Sequence, residues 1–175
     1  MRLPKIVGAF LIGWSLLSAA VAHAAPAELL NKTITVSYTT TIPGKSADGQ
    51  AISGVRNVVR TIYISSAGRV FGRVFRRDRD ASATKEAAPG ESGNTFRFEG
   101  NKLIGVMQFV SGAVQMLITW DATGQSCNAT FLVGRDSGRA LQWKGVNGRT
   151  YTATAPPAFS GVNCSIAAGN AFAGQ

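Results

Sequence analysis

Five alternate residues carry the most pointed chemistry in this chain: Arg69, Phe71, Arg73, Phe75 and Arg77. In an extended strand, residues two apart share a face, so three guanidinium groups are interleaved with two phenyl rings. Guanidinium groups bind phosphate or sulfate through paired planar hydrogen bonds, and the rings between them can take an apolar moiety. The same face also suits a nucleic-acid strand. The plainer reading makes the rings core and the arginines its rim, with their stems packed down and their heads in water.

The start of the chain limits which other chemistries are open. Arg2 and Lys5 precede an apolar run from Ile6 to Val21, followed by the small-x-small pattern Ala22-His23-Ala24. This is the pattern of a secretory signal peptide over residues 1–24, with the mature chain beginning near Ala25. The run is short for a spanning helix, and no later run is long enough to span as one. Removing residues 1–24 takes away two basic residues and no acid, lowering the formal charge from +9 to +7. His23, the only histidine, leaves as well. A mature chain without histidine cannot build Ser-His-Asp or Cys-His catalysis. Nor can it build His-ligated zinc, copper or non-haem iron sites. Neither a metal nor another cofactor is expected.

Other chemical candidates are weaker. The segment Gly134-Arg135-Asp136-Ser137-Gly138 resembles the nucleophile loop of trypsin-like proteases, but without a base it reads as a turn. Asp78-Arg79-Asp80 is a D-x-D pair without the ligand string of an EF-hand, and Arg77 and Arg79 neutralise it. The remaining acids (Glu28, Asp48, Glu86, Glu91, Glu99, Asp121 and Asp136) are scattered, most of them in expected loops. No glycosidase-like carboxylate pair is visible in their spacing. Asn31-Lys32-Thr33, Asn128-Ala129-Thr130 and Asn163-Cys164-Ser165 match the N-glycosylation pattern, which matters only in a host that glycosylates exported chains.

Cys127 and Cys164 are the only cysteines. An exported chain meets an oxidising compartment, which favours a disulfide between them. No histidine or base cluster lowers a thiol pKa for the alternative, a reactive cysteine.

The elements that must position these residues read as strands. Lys32 to Thr41 alternates, with Ile34, Val36 and Tyr38 on one face and Thr35, Ser37 and Thr39 on the other. Pro43 to Gly54 reads as a loop. Strands follow at Val55 to Ser65 and Arg69 to Arg77, joined by Ser66-Ala67-Gly68 with glycine at the left-handed position. That loop sets Ile64 opposite Val70, Tyr63 opposite Phe71, Thr61 opposite Arg73 and Val59 opposite Phe75. A two-residue loop would set Arg60 against Arg73, and like charges directly opposite are unfavourable. Tyr63 therefore joins the Arg–aromatic face.

Residues 78–94 have no aliphatic side chain larger than alanine and read as a mobile loop, long for a compact domain. Tight hairpins come next. Gly100-Asn101 sets Glu99 opposite Lys102 and Phe98 opposite Leu103. Ser111-Gly112 and Thr123-Gly124 make further turns, and Asn147-Gly148 joins Arg139–Val146 to Arg149–Ala155. On Lys102 to Val110, Leu103, Met107 and Phe109 point one way and Ile104, Val106 and Val110 the other, as in a strand covered on both faces. A last short strand around Val162–Ile166 carries Cys164, and residues 167–175 read as a frayed tail.

The expected fold is all-β: one domain over residues 25–175, an antiparallel meander of about 8–10 strands closed as an up-and-down barrel, with a two-sheet sandwich as the alternative. The barrel architecture is similar to that of lipocalin- and avidin-like proteins, whose sequence motifs are absent, so no functional residue is carried over. The expected function is an exported, periplasmic or secreted, non-enzymatic binding protein. Its expected partner is an anionic small molecule, a lipid head group or an envelope component, and not a specific nucleic acid. The alternatives are an integral outer-membrane barrel, which needs an outward apolar band on every strand, and a hydrolase using carboxylates.

Overall fold

The computed structural model describes residues 24–76, 81–86, 96–109, 112–134, 142–144 and 148–173, with the backbone alone for 81–86, 108–109 and 112–113. Of the expected leader only Ala24 falls within these residues, and Arg77 lies outside them. The chain forms β1 (Lys32–Ser46), β2 (Ala51–Ile64), β3 (Val70–Arg76), β4 (Ala81–Glu86), β5 (Phe96–Glu99) and β6 (Lys102–Phe109). It continues with β7 (Gly112–Trp120), β8 (Cys127–Val133), β9 (Gln142–Lys144), β10 (Thr150–Ala153) and β11 (Ala158–Ala168). All pairings are antiparallel. One sheet runs β4-β3-β2-β1-β10-β9 with β11 also on β1; the other runs β5-β6-β7-β8.

The registers argued from charge and turn chemistry are the observed ones. Ile64 lies opposite Val70, Tyr63 opposite Phe71, Thr61 opposite Arg73 and Val59 opposite Phe75. Glu99 lies opposite Lys102 and Phe98 opposite Leu103.

The expected barrel does not close. β1 pairs with β11, as the first and last strands of a closed meander would, but among the described residues β4 does not pair with β5, nor β8 with β11. Two antiparallel sheets result, compatible with a sandwich-like arrangement. The reason lies in the length of β1. Beyond Thr41 its edge passes from β11 to β10, which takes Gly44 to Ser46, so the late strands are shared along one partner. A bulge between Ser37 and Thr39, with Gly161 at φ 58°, adds a local bend in β11. At the β8–β11 seam the Cys127–Cys164 disulfide, with Cα atoms 5.5 Å apart, provides the link that hydrogen bonds do not.

Three segments read as irregular prove to be ordered into the sheet. The expected loop from Pro43 to Gly54 is mostly hairpin, with β1 running to Ser46 and β2 starting at Ala51. Its packing partner is distant in sequence: Trp143 lies across Gly44 and Gly54, where any Cβ would collide with the indole, beside Ile42, Ile52 and Tyr151. Within the expected 78–94 loop, β4 adds to β3 from Phe71–Glu86 to Arg76–Ala81, an edge pairing that needs backbone bonds and no aliphatic signal. The expected frayed tail is fastened over its described residues, 167–173. β11 extends to Ala168, the Gly169 N–H donates to the Asn31 carbonyl, and Thr33 Oγ1 donates to the Gly169 carbonyl and accepts from the Ala171 N–H.

Period-two patterning builds the core. Ile34, Val36, Tyr38, Ile62, Ile64 and Val70 of one sheet meet Phe98, Leu103, Met107, Val114, Met116 and Ile118 of the other. Each large aliphatic side chain so buried contributes about 1.5–3 kcal/mol. Leu29, in the 3-10 turn Ala27–Leu29, joins the same cluster. The adjacent Glu28 accepts from the Trp120 indole N–H at 2.9 Å, which with other hydrogen bonding and Lys32 holds its carboxyl below the usual range. β6 is apolar on both faces: Leu103 and Met107 are in the core, while Ile104 is buried on the opposite face beside its cross-strand neighbours Arg97 and Leu117.

Candidate functional site

Strand register assembles the site. Thr33, Tyr63 and Phe71 form one row across β1, β2 and β3; Thr35, Thr61 and Arg73 the next; Ser37, Val59 and Phe75 the third. The intervening positions Ile34, Val36, Ile62, Ile64 and Val70 fill the core, so these rows face outward. The phenyl rings of β3 are thus not core, as the plainer reading has them. Phe71 is half-buried and Phe75 is 45% exposed.

Tyr63 stacks on Phe71 with ring centroids 6.1 Å apart, and its hydroxyl donates to Asn31 Oδ1 at 2.8 Å. The guanidinium of Arg69 lies 5.5 Å from the Phe71 centroid. Cations over ring faces are attracted by the quadrupole. Arg73 is mid-strand, between the two phenyl rows, and its guanidinium lies 5.1 Å from the ring of Phe172. Among the described residues no carboxylate pairs with Arg73. Arg69, Phe71, Arg73, Phe75 and Tyr63 therefore share one surface, as alternation requires, whereas Arg77 lies outside the described residues.

Beside Phe75 this surface is concave. A groove of about 370 Å³ is lined by Ser37, Thr39, Asn57, Val59, Phe75 and Gly161, among others. Its floor is the β1–β2 ladder, its wall is the bulge at Gly161, and Thr39 donates to Asn57 Oδ1 at its rim. Basic groups, exposed rings and a shallow apolar groove thus share one face of the sheet.

The described acidic side chains are each engaged locally. Glu28 holds Trp120, Asp48 accepts from Ser46, and Glu99 pairs with Arg97. Asp121 accepts from the backbone N–H groups of Thr123, Gln125 and Ser126 and from two hydroxyls, so its carboxyl is held far below the usual range. Among the described residues no group of three or more Cys, His, Asp or Glu side chains could hold a metal ion.

Two features of the arginine chemistry escape a reading of β3 alone. The first is Phe172, which comes to Arg73 from the far end of the chain. The second is a set of inward arginines. Arg56 and Arg60 on β2 and Arg76 on β3 fall in phase with the core positions, and Arg60 is 4% exposed. The signal for Arg60 was present in its phase with Ile62 and Ile64. Comparison of the chain with protein-family models, curated proteins and solved structures finds no match.

Proposed function

We propose that this protein is an exported, non-enzymatic binding module that takes an anionic amphipathic ligand on the outer face of its larger sheet. The observation that carries the reading is Arg73: a guanidinium in the middle of a surface bearing Phe71 and Phe75, with no carboxylate partner among the described residues. The groove beside Phe75 gives the apolar part of such a ligand a place to lie. A disulfide is the mark of a compartment outside the reducing cytoplasm, which agrees with export. The local engagement of Glu28, Asp48, Glu99 and Asp121 favours binding over carboxylate catalysis.

The reading of an integral barrel is less well supported. Such a barrel needs closure and an outward apolar band. Here the outward positions of β1 are Thr33, Thr35, Ser37 and Thr39, and the sheets stay open at two seams among the described residues.

A screen of phosphorylated and sulfated amphiphiles against the mature, oxidised protein tests the proposal. Saturable binding that Arg73→Ala weakens is the expected result. Equal binding by both proteins, or no saturable binding, would leave an ordinary basic surface.

A further inference from the structure

We infer that Arg60 forms a second anion site, between the two sheets, and that it takes the carboxylate of an apolar acid. Arg60 sits on β2 with Val36 opposite it on β1 and Val74 on β3, and only 4% of it is exposed. Its Nε–H donates to the Tyr38 hydroxyl at 3.0 Å. That hydroxyl directs its own proton to Met107 Sδ at 3.3 Å, across to the smaller sheet. One donor of the guanidinium is thereby satisfied. Among the described residues, nothing accepts from the N–H groups of its two terminal nitrogens, and no carboxylate pairs with it.

A bland account of Arg60 does not hold. Long basic side chains bury their stems and keep their heads in water, but this head is buried too. A buried charge without a partner is less favourable than a well-packed aliphatic side chain of similar volume. Stability therefore gives no reason for arginine in a stretch where Val58, Ile62 and Ile64 share its face. Buried polar groups are ordinarily satisfied, and one that is not calls for a bound water, an ion or a ligand.

The surroundings choose among these. Arg60 is itself a fixed positive charge that offers donors and no acceptor, which favours an anion; Arg56 and Arg76, farther along the same inward face, have partners of their own. The side chains about Tyr38 are Phe131 at 4.6 Å and Phe159 at 5.8 Å between centroids, with Met107 at its hydroxyl. A planar fork matches the two oxygens of a carboxylate. Apolar neighbours favour a singly charged acid with a hydrocarbon body over a doubly charged, strongly hydrated phosphate.

The test uses the oxidised mature chain at constant ionic strength, with octanoate, acetate, phosphate and octanol as probes. The readout is the arginine Nε–H NMR spectrum of the wild type, in which Arg60 is recognised by slow exchange with water. Octanoate should shift that signal saturably, acetate should shift it more weakly, and octanol should not shift it. Arg60→Met should weaken octanoate binding between the sheets about tenfold or more, the scale of a lost charge-assisted hydrogen bond, while in Arg73→Ala, which removes the outer site, the Arg60 Nε–H signal still responds to octanoate. If Arg60→Met does not fold, the wild-type spectrum decides alone. No shift with either carboxylate, an equal shift with octanol, stronger binding of phosphate, or loss of the response in Arg73→Ala would each overturn the inference.

Discussion

The ring of Phe172 lies 5.1 Å from the guanidinium carbon of Arg73, so the chain's own tail covers part of the proposed outer anion site. Thr33 anchors this tail through the Gly169 carbonyl and the Ala171 N–H. A ligand that needs the guanidinium face must displace the ring, and an exposed cation–π contact is worth about 0.5–1 kcal/mol. Phe172→Ala should therefore tighten binding of a sulfated amphiphile roughly two- to fivefold. Titration calorimetry of the two proteins side by side checks this; unchanged or weaker binding would remove the tail from the site.

Arg73 itself should matter more than its cover. Arg73→Ala should cost about 1.5–3 kcal/mol of binding to the same ligand, the range for hydrogen bonds to charged groups. Arg73→Lys should recover part of the loss, because an ammonium keeps the charge without the planar fork. Urea denaturation of both variants guards against a stability artefact, since loss of stem packing would lower the midpoint of Arg73→Ala, whereas loss of a ligand contact would not.

The Cys127–Cys164 bridge spans 37 positions and joins β8 to β11, where among the described residues no backbone pairing crosses between the sheets. The chain-entropy model gives about 4 kcal/mol for a loop of this size. Replacing both cysteines by alanine should lower the unfolding free energy by roughly that amount. Equilibrium denaturation of the oxidised and double-alanine proteins measures it. A difference under about 1 kcal/mol would mean that the seam is held by packing alone.

What could be read from the sequence follows the range of each signal. The β2–β3 register was legible because Ser66-Ala67-Gly68 and the like-charge penalty at Arg60 and Arg73 are local constraints. The outward placement of Phe71 and Phe75 was not, because alternation pairs residues without saying which face meets the other sheet. The hairpin at Gly44 and Gly54 has the sequence of a loop, since its packing comes from Trp143. Phe172 over Arg73 depends on a tail made mostly of alanine and glycine, fastened by Thr33 and the Asn31 carbonyl, neither of which signals that role in the sequence. Closure failed for a similar reason: nothing local to β1 says that two strands will share one of its edges.

Asp121 caps the β7–β8 turn with hydrogen bonds from Thr123, Gln125 and Ser126, and its carboxyl titrates far below the usual aspartate value of about 3.9. A group depressed in the folded state contributes stability that is present above its unfolded pKa and lost as pH falls toward the folded one. The wild-type protein should therefore lose stability as pH drops below about 4. Asp121→Asn should be less stable than wild type at pH 7 and should lose less on acidification. Thermal melts at pH 7, 4, 3 and 2 compare the slopes, and parallel curves for the two proteins would rule out Asp121 as a contributor.

Phe96 is held between the two sheets by two glycines. A Cβ at Gly72 of β3 would lie 2.8 Å from Phe96 Cε2, and one at Gly105 of β6 would lie 2.8 Å from Phe96 Cε1. Both edges of the ring are thus fixed by backbone that carries no side chain, which lets a large ring from an edge strand enter between the sheets. Gly72→Ala should cost about 1–3 kcal/mol by overpacking, and Gly105→Ala a similar amount. If the collision is the cause, the cost must vanish where the ring is absent. In a Phe96→Ala background each substitution should fall below about 1 kcal/mol, and the double-mutant cycle should show coupling of comparable size to the original loss. Equal costs in both backgrounds would place the requirement for glycine in the strands themselves and not in the ring between them.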